Sequence, residues 1–106
     1  MHNYMKPKPQ PKIKAYRSQK YLAFIRSKPS LYSNLPGTEN DIIVAAHQSF
    51  GAKGTGIKSP DTYSVPLLWS EHQLEHLGAK TFWGDQYNFL PLRCLEYVTE
   101  YLTRDK

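Results

Sequence analysis

Four residues of this chain combine type and spacing in a way that suits chemistry: His47, Asp61, His72 and His76. His72 and His76 stand four apart in a segment that reads as a helix, so both imidazoles fall on one face. Such a pair can hold one divalent ion. The plain alternative is two solvated histidines on a polar face, since H-x-x-x-H also arises by chance. His47 ends a short apolar run with strand character and adds a third imidazole. Two or three ligands with open positions make a catalytic site rather than a closed structural one. An ion held this way can bind a phosphate oxygen and offset charge on a leaving group. Hydrolysis also needs a base to activate water. His47 is either that base or a metal ligand, and cannot be both at once. Asp61 either orients a histidine through a hydrogen bond or caps a turn.

Between the first imidazole and the other two runs GAKGTGIKSPD, with Gly51, Gly54 and Gly56 among Lys53 and Lys58. Glycines allow close backbone approach and lysines favour phosphate. The spacing is not that of a P-loop, because no Gly-Lys-Ser/Thr follows. A flexible loop without a ligand is the competing reading.

The elements that must position these residues are short. Ser18 is a plausible N-cap, and Tyr21, Leu22 and Ile25 recur at helical spacing beside Phe24, so a helix is predicted over about Arg17–Ser27, stopped by Pro29. Residues 28–41 are rich in turn signals. Ile42-Ile43-Val44 reads as one strand and Tyr63–Leu67 as a second. Ser70 with Gln73 suggests a capping box for a helix over about Glu71–Leu77, with Leu74 and Leu77 as its apolar side and Gly78 as its stop. Phe82 and Trp83 mark a core patch or a short helix. Pro91 opens a last helix over about Pro91–Thr103, with Leu92, Leu95, Val98 and Leu102 as its core stripe and Cys94 as a small core residue. Strand, loop, strand, helix is a ββα-metal order, so the fold class expected is α+β: a small ββα-metal core flanked by N- and C-terminal helices.

The chain has 106 residues, enough for one small domain, and its eight Tyr, four Phe and two Trp supply large buried areas per residue. The net charge of +5 favours polyanion partners. The excess is uneven. Residues 1–28 carry Lys6, Lys8, Lys12, Lys14, Arg17, Lys20, Arg26 and Lys28 and no acid. Residues 1–15 alternate Pro with Lys and read as an extended or disordered arm, with residues 16–106 as the domain. Such an arm is either a solvated tail or a grip on phosphates that reads no sequence. One cysteine allows no intrachain disulfide and no cysteine zinc knuckle. No apolar run has transmembrane length and no signal peptide is evident, so the cytoplasm is the expected compartment and no membrane partner is expected.

The segments YLAFIRSKPS, AHQ, GTGIKSPD, PLLWSEHQLEH and FW, in that order, resemble the phage and prophage HNH-type proteins related to the RecA-dependent nuclease Ref. The resemblance spans about Tyr21 to Leu102. It implies a metal-dependent endonuclease that hydrolyses DNA phosphodiesters in phage or prophage recombination or replication, with DNA as partner and a recombinase of the RecA type as another. His72 and His76 match the pair that holds the divalent ion (Mg, Mn or Zn), and Asp61 matches the loop aspartate. Lys53, Lys58 and the arm residues Lys6, Lys8, Lys12 and Lys14 would contact nucleic acid. His47 falls where the family has two adjacent histidines. If Ala46-His47 is the pair, the base is kept and a ligand is lost. If His47-Gln48 is the pair, the ligand is kept and the base is lost; Ala46 before the pair suits this register a little better. The family's structural zinc knuckle falls on Ser30, Ser33, Leu68 and Glu71, which are poor zinc ligands. No structural zinc is expected, and Leu31, Tyr32, Leu35, Leu67, Leu68 and Trp69 are expected to pack in its place. Two other readings compete: a DNA-binding protein of little or no activity on a decayed HNH scaffold, and a protein-interaction module.

Overall fold

A computed structural model describes residues 15–49 and 59–104. The expected basic arm falls almost entirely outside them, as do the glycine loop and both of its lysines. Among the described residues the fold is α+β, with one two-stranded antiparallel sheet and helices before and after it.

Helix α1 runs Gln19–Arg26. Ser18 caps it, its hydroxyl accepting the Tyr21 N–H at 3.1 Å. Tyr21 and Ile25, four apart, form its buried side. Tyr101 meets the rings of Tyr21 and Phe24 edge-on at 5.0 and 5.2 Å, which ties α1 to the last helix. Lys28 pairs with Glu100 across the same seam.

Strand β1 runs Ile43–His47 and β2 runs Ser64–Leu68, paired from Ile43 opposite Leu68 to His47 opposite Ser64. β1 starts one residue after the expected Ile42–Val44 run and continues to His47, and β2 is shifted by one residue from the expected Tyr63–Leu67. Every residue of β2 is buried, because a loop covers its other edge: Leu31 donates its N–H to the Pro66 carbonyl at 2.9 Å. Pro66, lacking an N–H, takes part in that contact through its carbonyl alone. Gly37 passes close to β1; a Cβ there would meet Ile43 at 3.0 Å.

Helix α2, Trp69–Leu77, begins directly after β2. Its buried residues are Glu71 and Glu75, while Leu74 and Leu77, expected to face the core, are 56% and 85% exposed. The apolar positions alone therefore misplace this helix by roughly a third of a turn. The expected Ser70 cap is also displaced. Ser70 lies inside the helix and donates through its N–H and hydroxyl to Asp41, which holds the Asp41 carboxyl below its ordinary value. The N-cap is Leu68, whose N–H is taken at 2.9 Å by the Glu71 carboxylate, three residues on. That is the acidic half of a capping box without the hydroxyl half.

Glu71 also accepts the Ser30 hydroxyl at 2.5 Å, and Ser30 in turn accepts the N–H groups of Tyr32 and Ser33. Both side chains are buried. Ser30 and Glu71 are two of the four positions matched to a zinc knuckle. A buried hydrogen bond joins the two loops there, and the apolar packing expected is found in part: Leu67 and Leu68 are buried and Leu31 packs against the core, while Tyr32, Leu35 and Trp69 are each more than half exposed.

Helix α3, Ala79–Trp83, is short, and a 3₁₀ stretch from Gly84 leads into α4, Leu90–Thr103. Gly84 has φ +57°, a left-handed conformation that suits glycine. The core gathers Ala46, Val65 and Leu67 of the sheet with Trp83, Leu90 and Cys94. Burial pushes the Cys94 thiol up to about 12, so it stays protonated. The stripe expected for α4 is rotated: Leu92, Leu95 and Leu102 are 48%, 59% and 69% exposed, and Leu90 and Cys94 face inward. No helix of the described residues is long and apolar enough to cross a membrane.

Replacing Glu71 with Leu leaves the Ser30 hydroxyl and the Leu68 N–H buried without their acceptor. The expected loss is about 2–3 kcal/mol, read from the urea midpoint. Leu77→Ser on the exposed side should stay within about 0.5 kcal/mol of the parent.

Candidate functional site

The end of β1 and the connection back to β2 are joined through one carboxylate. Asp61 is 3% exposed, yet it is surrounded by donors. Its Oδ1 lies 2.8 Å from His47 Nε2 and accepts from Arg17 Nη1 at 3.0 Å, while Oδ2 accepts the Ser18 N–H at 2.7 Å. Its own N–H donates to the Tyr16 carbonyl at 2.9 Å. Arg17 Nη1 also reaches the Ser59 carbonyl at 2.7 Å. Burial pushes the Asp61 carboxyl up, but the bonds from His47, Ser18 and Arg17 outweigh it and hold the group below its ordinary value.

An ionised Asp61 only accepts, so His47 must present Nε2–H to it. This tautomer is assigned from the hydrogen-bond network. It leaves the lone pair on Nδ1. The His47 side chain is 37% exposed, so the ring is held at one end and reachable from solvent.

His72 and His76 project from α2 as their spacing predicts. Their Nε2 atoms are 3.2 Å apart and their ring centroids 4.4 Å apart. Two nitrogens bound to one ion at about 2.0–2.1 Å lie about 3.0–3.4 Å from each other. The observed separation fits a shared divalent ion without rearrangement of the helix. Among the described residues no group of three or more His, Cys, Asp or Glu is disposed to hold a metal.

One cavity of about 310 Å³ brings the histidines together: His47, Gln48 and Ser59 line one side and His72, Glu75 and His76 the other. A second, more open recess of about 470 Å³ is lined by Arg17, His47, Ser59 and Asp61. His47 borders both. The four residues singled out from the sequence thus converge, while Lys6, Lys8, Lys12, Lys14, Lys53 and Lys58 lie outside the described residues.

The family described as "protein of unknown function (DUF968)" matches residues 2–97. The chain belongs to this family. No match to a curated protein or to a solved structure was found.

In this DUF968 member three participants escaped the sequence reading. Arg17 stands in the sequence as one more charge of a basic N-terminus, and its contact with Asp61 spans 44 residues of chain. In the sequence Gln48 stands only where the resembled family has a histidine. It is buried and donates to the Ala46 carbonyl at 3.1 Å and to Glu75 at 2.9 Å. Glu75 belongs to none of the motifs singled out in the sequence. The one available signal was its place one turn below Glu71 on the same side, since two acids at that spacing define a second polar stripe.

Because the Asp61 value is lowered on folding, its stabilisation is present above the unfolded-state value of about 3.9 and is lost as pH falls through the lower folded value. Asp61→Asn should therefore be less stable than the parent by about 2 kcal/mol near neutral pH. That gap should narrow as pH falls below the unfolded-state value of about 3.9. Thermal melts of both proteins across this range check it.

Proposed function

We propose that this chain is a metal-dependent, HNH-like endonuclease that hydrolyses DNA phosphodiesters. The observation that carries the reading is a carboxylate-held imidazole, His47 on Asp61, in one cavity with two imidazoles at metal-ligand spacing. The order strand, connection, strand, helix supports a ββα-metal core, and the net charge of +5 suits a polyanionic substrate.

His72 and His76 would hold the divalent ion (Mg, Mn or Zn), which supplies Lewis-acid charge at a phosphate oxygen and at the leaving group. The rest of the chemistry belongs to the chain. His47 takes the proton of the attacking water at Nδ1. Asp61 keeps the ring in that tautomer and stabilises the imidazolium that results. Arg17 ties Asp61 to the N-terminus of α1, so the base is fixed against a rigid element. In this reading His47 is the base and not a ligand. The six lysines of the arm and loop are phosphate contacts, and a recombinase of the RecA type is a candidate partner in phage or prophage recombination or replication. No structural zinc is required, since Ser30 and Glu71 bond to each other at that place.

The second reading, a DNA-binding protein of little activity, is favoured by one observation: Gln48 is committed to Glu75 and adds neither base nor ligand. Supercoiled and single-stranded DNA incubated with Mg²⁺, Mn²⁺ or Zn²⁺ separates the two. Cleavage that requires metal, falls about 100-fold or more in His47→Ala and is lost in His72→Ala is expected. Binding without cleavage, unaltered by either substitution, supports the second reading. No binding at low salt removes both.

A further inference from the structure

Glu75 is a buried carboxylate with its partners fully arranged. It is 8% exposed. Its Oε2 accepts Trp83 Nε1 at 2.6 Å and Gln48 Nε2 at 2.9 Å. Neither donor is loose. Trp83 sits in the core, and Gln48 is anchored by its second bond to the Ala46 carbonyl. With Oε2 doubly occupied, Oε1 is left facing His72, and it lies 3.3 Å from His72 Nδ1.

An ionised carboxylate has only acceptors to offer. The hydrogen between the two groups must then belong to His72 Nδ1, and the neutral ring carries its lone pair on Nε2. Nε2 is the atom 3.2 Å from His76 Nε2. Exposed imidazoles choose freely between two tautomers and several ring angles, and only one combination presents a lone pair toward a shared ion. Histidines that bind metals are commonly held this way, by a carboxylate at the ring nitrogen away from the ion.

We propose that Glu75 is a positioning residue for a divalent-cation site at His72 and His76. It fixes the His72 tautomer and ring angle, and Gln48 and Trp83 hold Glu75 in turn. This rests on the reading that the two imidazoles hold the metal. It also gives Gln48 a purpose, where its position suggested only a lost histidine: its amide clamps the acid that orients a ligand.

Glu75→Gln keeps the shape and can still accept from Trp83 and Gln48, but it turns an amide NH₂ toward Nδ1. His72 should then carry its hydrogen on Nε2, with the lone pair turned away from the site. Two measurements on the full chain test this. Calorimetric titration with Zn²⁺ and with Mn²⁺ should show binding 10–100-fold weaker in Glu75→Gln, about the usual effect of removing such a partner. Nitrogen-15 spectra of the histidine rings should report Nδ1–H for His72 in the parent and Nε2–H in the variant. Trp83→Phe, which leaves Oε1 in place, should keep the parental tautomer. Parental His72 found with Nε2–H overturns the proposal without any variant, even if Glu75→Gln fails to fold. Equal metal affinity in parent and Glu75→Gln overturns it while leaving the metal site standing. A parent that binds neither ion, with the Nδ1–H tautomer intact, overturns the metal site itself and the proposal with it.

Discussion

The arrangement depends on the buried carboxylate of Asp61. It gathers the Ser18 N–H at the start of α1, the guanidinium of the neighbouring Arg17 and the ring of His47, and so with Asp61 itself joins three separate parts of the chain. Burying a carboxylate is unfavourable unless donors surround it. Here they do, strongly enough to keep it ionised. The consequence is positional. The long connection from β1 to β2 returns to the sheet at a fixed point, and the imidazole at the end of β1 is held by its outer nitrogen. A neutral residue at 61 would leave Arg17, Ser18 and His47 with no common partner.

A second pair of acids does for α2 what apolar side chains do for most amphipathic helices. Glu71 and Glu75, one turn apart, point into the domain, and each has taken a different job. Glu71 closes the helix start and clasps the loop at Ser30. Glu75 draws in Trp83, Gln48 and His72. Because these acids turn inward, Leu74 and Leu77 turn outward and the histidines come to lie at the cavity. The orientation of the helix is thus set by hydrogen bonds to charged groups, each worth about 1.5–3 kcal/mol. Those terms are large beside what two partly exposed leucines lose.

The Ser30–Glu71 clasp bears on how a domain this small holds its loops. Chains of this size often use a metal to tie loops that a thin core cannot. Here a serine hydroxyl, two backbone N–H groups and a carboxylate form a closed polar cluster in the same place. Such a cluster needs no cofactor, and it is sensitive to loss of any one member, since the remaining groups are buried.

The sequence by itself determined the element order, the cap at Ser18 and the helical pairing of His72 with His76, and it singled out His47 and Asp61, which the fold joins by a hydrogen bond. These are local facts. They follow from spacing along a helix and from the chemistry of a capping hydroxyl. Only the tertiary structure decided that Arg17 belongs to the site, that Gln48 serves Glu75, and that α2 and α4 turn faces other than their leucines inward. Helical periodicity reports which residues share a side, but not which side wins the interior. That choice was made by partners far away in the chain, Ser30, Gln48 and Trp83 for α2, whose hydrogen bonds exist only once the fold has brought them there.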